Sequence, residues 1–212
     1  MVYMVEDGPR NYKKVMESTE QWQKAVDSEC ASLVKNKVLQ FVDAVPPGKK
    51  AIPTRLILQW KLSPTGEMVR YKARLVAQGF RPIEGVDFTN MFAPVASLSS
   101  VQVVLSIAAV RGFEIYQMDV VTAFLKSKLE EEVYVTLPEG ILGCTRVASL
   151  NRSLYGLKQS PRCWYMTIDY FLLVEMGFQH GRFDCCIYTN GQDRILALYI
   201  DDILITGISK NI

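Results

Sequence analysis

The chain lacks the long hydrophobic run that a membrane-spanning helix requires. No stretch of its 212 residues reaches about 18 unbroken apolar residues, and the most apolar uncharged stretch, 92–110, contains proline, serine and glutamine. The first ten residues, MVYMVEDGPR, have acids where a secretory signal would have a basic and then an apolar region. We therefore expect an intracellular protein with no membrane partner.

Histidine is scarce, and the cysteines do not form a metal-binding motif. The sequence has one histidine, His180, and five cysteines, none of them in CxxC spacing. Few ligands are therefore available for a zinc site. An odd number of cysteines in an intracellular protein favours reduced thiols over a disulfide framework.

Positive charge is unevenly distributed, although the net charge of the chain is only +2. Residues 48–82 contain eight lysines and arginines and a single acid, Glu67, whereas acids outnumber cations in the rest of the chain. A local excess of cations is typical of a surface that holds an anionic partner, and a solvated face has the same composition.

Hydrophobic periodicity predicts an α+β fold with a largely antiparallel sheet. An amphipathic helix is predicted over residues 18–34, with Ser18 and Gln21 as a capping box. Further helices are predicted over residues 97–110, 122–129 and 162–176, and strands over residues 41–45, 52–62, 69–75, 113–121 and 131–137. Strands 52–62 and 69–75 flank a turn and predict a hairpin.

The second strand of this hairpin separates apolar from basic side chains. Alternation places Arg70, Lys72 and Arg74 on one face and apolar residues on the other. Three cations on one face are better placed to bind phosphate than scattered charges, although hairpins often have basic outer faces without a ligand.

Two adjacent carboxylates, Asp201 and Asp202, interrupt the apolar sequence RILALYIDDILITG. Apolar runs on both sides predict a second hairpin with these residues as its two-residue turn. A polar hairpin tip explains one aspartate better than two, because adjacent carboxylates repel each other. With Asp119 from a neighbouring strand, they would form a set of oxygen ligands for Mg²⁺, although Asp119 would also serve as a helix N-cap.

Five stretches in this order resemble the reverse transcriptase domain of copia-type LTR retrotransposons. They are RYKARLVAQGF (70–80), FAPVASLSSV (92–101), QMDVVTAFLKSKLEEEVYVTLPEG (117–140), SLYGLKQSPRCWY (153–165) and LYIDDILITG (198–207). The resemblance implies a single reverse transcriptase domain fragment over residues 1–212 with the α+β fold of a right-hand polymerase. Fingers with the basic hairpin are expected at approximately 15–95, and mainly palm, with a mostly antiparallel sheet, at 96–212. The thumb is expected to be absent.

The same resemblance implies a set of site residues. Asp119, Asp201 and Asp202 would be catalytic and hold two Mg²⁺ ions, with the Val120 carbonyl as a further ligand and Mn²⁺ as an alternative metal. The incoming nucleotide would contact Lys72, Arg74, Phe124 and Gln159. Template and primer would contact Arg55, Lys61, Arg70 and Tyr199. Phe124 would exclude a ribose 2′-hydroxyl, with packing in the core as the alternative.

The implied function is an RNA-directed DNA polymerase core within a retrotransposon Pol polyprotein, in cytoplasmic particles or the nucleus. It would extend a primer on an RNA or DNA template with deoxynucleoside triphosphates by two-metal phosphoryl transfer. Since ten residues follow Asp202, the thumb and RNase H parts of a longer polyprotein would be missing partners. Two alternatives stay open. One is a catalytically inactive truncated or co-opted remnant that acts as a nucleic-acid-binding or assembly module, and the other is a two-metal nuclease.

Overall fold

The structure, a computed structural model, describes residues 5–7, 20–63, 65, 67–79, 92–138, 141–142, 147–191 and 194–208. The helices are α1 (Glu20–Lys35), α2 (Leu98–Arg111), α3 (Ala123–Lys126) and α4 (Ser160–Tyr170), followed by a π-helical segment (Phe171–Glu175). The strands are β1 (Val5–Asp7), β2 (Leu39–Phe41), β3 (Ala51–Leu62), β4 (Met68–Ala77), β5 (Glu114–Asp119), β6 (Lys128–Thr136), β7 (Val147–Arg152), β8 (Gln179–His180), β9 (Ile187–Thr189), β10 (Ile195–Tyr199) and β11 (Asp202–Gly207). The α+β class expected from the sequence is confirmed.

The chain forms two compact units, each built from two segments. The first unit comprises Met1–Thr89 and Lys128–Ser160, and the second comprises Asn90–Ser127 and Pro161–Ile212. The first contains a mixed sheet in the order β1-β3-β6-β7-β2, with β4 paired to β3 and with β3 parallel to β6. The second contains an antiparallel sheet in the order β5-β11-β10-β9-β8.

Helix α1 covers the apolar face of the β3–β4 hairpin in the first unit. Trp22 and Val26 lie one helical turn apart and are buried together with Leu58 and Ala73 of the hairpin. The Trp22 ring meets the Tyr71 ring edge to face, with 4.7 Å between their centroids. Because one face of the hairpin is buried in this way, its polar residues project from the other face.

Helix α4 and the π-helical segment that follows it pack against the sheet of the second unit. Trp164, Ile168 and Leu172 follow one another at intervals of four residues, and all three are buried. They pack with buried residues of the strands, among them Tyr188 and Leu198. This packing fixes α4 beneath the β10–β11 hairpin.

Several predicted boundaries differ from the structure. The helix predicted over 122–129 is wrong in length, because Ser127 has extended backbone and donates to the Phe124 carbonyl from both N and Oγ (3.2 and 2.8 Å), so that β6 begins at Lys128. The strand predicted over 41–45 is instead β2 at Leu39–Phe41. Helix α4 begins before residue 162, with Pro161 in its first turn. The capping box with Ser18 lies outside the described residues.

Among the described residues, none of the helices combines the length and apolar character needed to cross a membrane.

Candidate functional site

The β10–β11 hairpin places two of the predicted acids at one end of the second sheet. Tyr199 pairs with Asp202, so the two-residue turn is Ile200–Asp201, one residue earlier than the sequence predicts. Asp202 therefore begins β11, where it pairs with Asp119, the last residue of β5. Directly paired residues share a face of the sheet. Asp119 and Asp202 thus stand side by side, and Asp201 lies in the adjoining turn.

Hydrogen bonds attach this turn to its surroundings in the second unit. The Val120 N–H donates to the Asp201 carbonyl oxygen at 2.9 Å, and the Gln117 amide donates to Asp202 Oδ1 at 3.3 Å. From helix α4, the Trp164 indole Nε1 donates to the Ile200 carbonyl oxygen at 2.7 Å. The turn is therefore connected both to the edge strand β5 and to helix α4.

Two β-branched residues beside the acids have left-handed backbone conformations. Ile200 has φ 58° and Thr122 has φ 57°. Positive φ is unfavourable for side chains branched at Cβ, and such strain is concentrated at functional sites. The backbone directly before Asp201 is thus held in a conformation that local preference does not explain.

The three carboxylates differ in exposure. Asp119 and Asp202 are exposed, whereas Asp201 is half-buried in the turn. Carboxylate oxygens are hard ligands of the kind that Mg²⁺ prefers. In the described part of the chain, however, the ligand atoms of these three acids do not all lie within 4.8 Å of one another. Their side chains would have to come closer together to hold one divalent cation, whose charge would then offset their mutual repulsion.

Among the described residues, one set of possible ligands does have its ligand atoms within 4.8 Å of one another: Asp184, Cys185 and Cys186. Asp184 already accepts hydrogen bonds from Ser97 N (3.0 Å) and Cys186 N (2.9 Å). Partial burial raises the pKa of its carboxyl, but hydrogen bonds from Ser100, Ser97 and Cys186 outweigh this and lower it. Asp184 therefore joins the start of α2 to the turn before β9, a structural role.

The β3–β4 hairpin gathers the predicted cations on one face in the first unit. Its register pairs Lys61 with Arg70, and the pairs Gln59–Lys72 and Ile57–Arg74 follow at intervals of two residues. Pairing and alternation place the five cations of the hairpin on the face opposite the α1 core. These cations are Arg55, Lys61, Arg70, Lys72 and Arg74. We call this surface the basic face.

Arg74 lies over an aromatic ring, that of Tyr155, which was not among the site residues expected from the sequence. Its guanidinium carbon lies 5.2 Å from the centroid of the Tyr155 ring. The Tyr155 carbonyl accepts from Ala77 N at 2.7 Å, which joins this loop to β4. Arg74 Nε is buried and has no hydrogen-bond partner among the described residues. The presence of Tyr155 within the SLYGLKQSPRCWY motif was the available signal.

The remaining predicted residues have varied surroundings. Gln159, in the first unit, is 4% exposed and donates to Glu131 Oε2 at 3.4 Å. Phe124, in the second unit, is partly buried and packs against the core. Tyr199 is exposed at the end of β10, and Val120 follows β5. Their nucleotide and nucleic-acid contacts stay predictions.

The sequence range that contains these residues matches a protein family. A family model described as reverse transcriptase (RNA-dependent DNA polymerase) matches residues 36–212, which include the three acids and the basic face. The chain belongs to the reverse transcriptase family. The resemblance drawn from the motifs is thereby confirmed, and family membership associates the chain with RNA-directed DNA polymerases by resemblance.

Curated relatives place the reverse transcriptase domain within longer polyproteins. The chain is 39% identical over 213 residues to the retrovirus-related Pol polyprotein from transposon TNT 1-94 of Nicotiana tabacum, covering 96% of this chain and 16% of the relative. It is 37% identical over 194 residues to that from transposon RE1 of Arabidopsis thaliana (89% and 13%). It is 29% identical over 201 residues to the transposon Ty1-BL Gag-Pol polyprotein of Saccharomyces cerevisiae (95% and 11%). The chain thus spans less than a fifth of these relatives.

Proposed function

We propose that the chain is the polymerase core of a retrotransposon Pol polyprotein and extends a primer with deoxynucleotides by two-metal phosphoryl transfer. The observation that supports this most directly is the pairing of Asp119 with Asp202 in neighbouring strands, with Asp201 in the turn between β10 and β11. In this proposal the first unit forms the fingers and the second unit forms the palm, so residues 128–160, expected in the palm from the sequence, would belong to the fingers.

The acids of the second unit would hold the metal ions. Asp119, Asp201 and Asp202 offer carboxylate oxygens, and the Val120 carbonyl offers a further one, which suits Mg²⁺ or Mn²⁺. When bound, such ions lower the pKa of an attacking hydroxyl and stabilise the leaving oxygen of an in-line displacement. The protein's contribution is to fix the positions of the carboxylates on a paired sheet end.

The basic face would hold phosphate. Arg74 has a planar guanidinium over the Tyr155 ring and a buried Nε without a hydrogen-bond partner in the described part of the chain, an arrangement suited to a triphosphate. Lys72 would contact the same triphosphate, with Gln159 beside the nucleotide, while Arg55, Lys61 and Arg70 would neutralise template or primer phosphates. Phe124 would exclude a ribose 2′-hydroxyl, and Tyr199 would contact the primer end.

Primer extension tests this function. A 5′-labelled DNA primer annealed to an RNA template is incubated with the chain, Mg²⁺ and deoxynucleoside triphosphates, beside Asp201→Asn and the control Glu175→Gln. We expect the wild-type chain and Glu175→Gln to extend the primer, and Asp201→Asn to be slower by about 100-fold or more, because a metal ligand is lost. Equal extension by Asp201→Asn would contradict the proposal.

The five cations of the basic face favour one alternative, a nucleic-acid-binding module without synthesis. Such a module binds in EDTA with an affinity that falls steeply with salt, because neutralising phosphates releases counterions. Binding of this kind without extension of the primer would favour this alternative. Shortening of the labelled strand without added nucleotides would instead favour a two-metal nuclease.

A further inference from the structure

A buried tryptophan donates a hydrogen bond to the turn that contains Asp201. Trp164 of α4 is 4% exposed, and its indole Nε1 lies 2.7 Å from the carbonyl oxygen of Ile200. Ile200 is the first residue of the turn, and Asp201 is the second. The indole N–H therefore bonds to the peptide group that directly precedes the Asp201 side chain.

This peptide group needs an external constraint. Ile200 has φ 58°, a conformation that β-branched residues avoid, so an unrestrained turn would relax toward negative φ. On the other side, the Asp201 carbonyl oxygen accepts from Val120 N at 2.9 Å. The two bonds fix the peptide groups on both sides of the Asp201 Cα.

The surroundings of the Ile200 carbonyl offer few alternative donors. The other side-chain donor of the small cavity at this point, the Tyr165 hydroxyl, is hydrogen-bonded with Cys185 and Tyr188. The surface of the cavity is almost entirely apolar, and its lining residues are Ala93, Pro94, Val95, Pro161, Trp164, Tyr165, Leu198 and Ile200. A hydrogen bond in apolar surroundings is stronger than in water, and a carbonyl left without its partner there is destabilised. Loss of the indole N–H would therefore favour a rotated peptide group.

We propose that Trp164 is a positioning residue for the metal-binding turn. Its N–H holds the Ile200–Asp201 peptide in the strained orientation that sets the direction in which the Asp201 side chain leaves the turn. The inference rests on the proposed function, since it assigns Asp201 as a metal ligand. The Asp119–Asp202 pair is fixed by sheet hydrogen bonds and does not depend on Trp164.

The test replaces the donor while retaining the ring. In the full 212-residue chain, Trp164 is substituted by β-(3-benzothienyl)alanine, which has the shape of tryptophan with sulfur in place of N–H, and separately by Phe. Mn²⁺ binding is measured by electron paramagnetic resonance. We expect the isostere to weaken Mn²⁺ binding about tenfold, the size of effect seen when partners of metal ligands are removed. If Trp164→Phe unfolds the chain, the isostere still tests the role of the indole N–H, because it preserves the packing of the ring.

A second substitution separates positioning from general stability. Ile200→Asn introduces a residue that adopts left-handed conformations readily. In this background the turn needs less restraint, and we expect the isostere at position 164 to weaken Mn²⁺ binding by less than about threefold. An equal loss in both backgrounds would indicate a purely structural role for Trp164 and would overturn the inference.

Asp201→Asn distinguishes failure of the inference from failure of the proposed function. If Asp201→Asn weakens Mn²⁺ binding and the isostere does not, the positioning role is wrong and the proposed function stands. If Asp201→Asn also leaves Mn²⁺ binding unchanged, Asp201 is not a ligand and both are wrong.

Discussion

Asp119 and Asp202 are direct cross-strand partners in β5 and β11, and both are exposed. The Cβ atoms of such partners lie about 4.5–5.5 Å apart, and like charges at this distance destabilise a sheet. Because both side chains are exposed, packing in the described part of the second unit does not require an acid at either position. The pair is thus the kind of locally unfavourable arrangement that proteins retain for function.

Asp119→Asn should stabilise the protein in the absence of divalent cations. Removing one of two opposed charges raises the free energy of unfolding by about 0.5–1 kcal/mol, and the thermal midpoint by a few degrees. Thermal unfolding in EDTA and in millimolar Mg²⁺ measures both effects. We expect Mg²⁺ to stabilise the wild-type chain and to stabilise the variant much less.

The matched control is Glu175→Gln, which removes one exposed negative charge from the same unit. It should retain the Mg²⁺-dependent shift of the wild-type chain. Loss of that shift in the control as well would mean that Mg²⁺ acts on overall charge and not at Asp119.

Arg74→Ala should weaken binding of a deoxynucleoside triphosphate by about 10- to 100-fold, because a charge-assisted contact to phosphate is lost. Arg74→Lys should recover only part of the affinity, since lysine keeps the charge but neither the planar fork nor the stacking on Tyr155. Isothermal titration with the triphosphate and Mg²⁺ measures the affinities. Lys24→Ala, in the same unit, removes a cation that is paired with Glu20 and should have no effect. Equal affinities for all these proteins would show that the basic face does not bind the triphosphate.

The basic face could be predicted from the sequence because it depends on local alternation. Side chains of a strand alternate between its two faces. Once a strand is predicted here, Arg70, Lys72 and Arg74 must therefore lie on the same face. The pairing with Lys61 then follows from the hairpin register. Local hydrophobic periodicity was therefore sufficient to predict which cations form the basic face.

The turn at the acids could not be placed correctly by the same means. Turn preferences favour Asp-Asp over Ile-Asp, because isoleucine avoids left-handed φ. The observed turn depends on tertiary contacts, above all on Trp164, which is 36 residues distant from Ile200 in sequence. The bond from Leu75 N to Glu29 joins residues 46 apart. Such contacts leave no periodic signal in a single sequence.

Glu29→Gln should alter how stability depends on pH. Glu29 is buried and accepts a hydrogen bond from Leu75 N at 3.0 Å. Burial raises the pKa of its carboxyl above the ordinary value of 4.5, although the Leu75 N–H and the charges of Arg74 and Lys72 lower it in part. The folded state thus binds this proton more tightly than the unfolded state. The contribution of Glu29 to stability is greatest below the ordinary pKa and is lost as pH rises through the raised one.

Urea unfolding between pH 4 and pH 8 measures this contribution as the difference between wild type and variant. Glutamine keeps an oxygen that accepts from Leu75 N and has no charge to bury, so the stability of Glu29→Gln relative to wild type should increase with pH across that range. Glu20→Gln, an exposed substitution in the same helix, should show no such trend. A constant difference between Glu29→Gln and wild type would show that the Glu29 carboxyl titrates equally in both states.

Gly156→Ala should be far more destabilising than Gly48→Ala, although both glycines have similar left-handed backbones, with φ +86° and +83°. Alanine at either position is less favourable by about 1–2 kcal/mol for the conformation alone. At Gly156 the added Cβ would also lie 2.1 Å from the Ala77 carbonyl oxygen, whereas nothing lies within 4 Å at Gly48. We therefore expect a loss in the free energy of unfolding of at least about 3 kcal/mol for Gly156→Ala.

The same comparison tests how Arg74 is oriented. The clash at Gly156 would separate its loop from β4, where Val76 bridges to Tyr155 and Ala77 N donates to the Tyr155 carbonyl. Tyr155 would then no longer lie beneath the Arg74 guanidinium. Urea unfolding gives the stabilities, and titration under conditions where both variants remain folded gives triphosphate affinity. Gly48→Ala should bind like wild type and Gly156→Ala more weakly, by a factor that approaches that of Arg74→Ala. Wild-type affinity in a folded Gly156→Ala chain would show that the stacking on Tyr155 does not position Arg74.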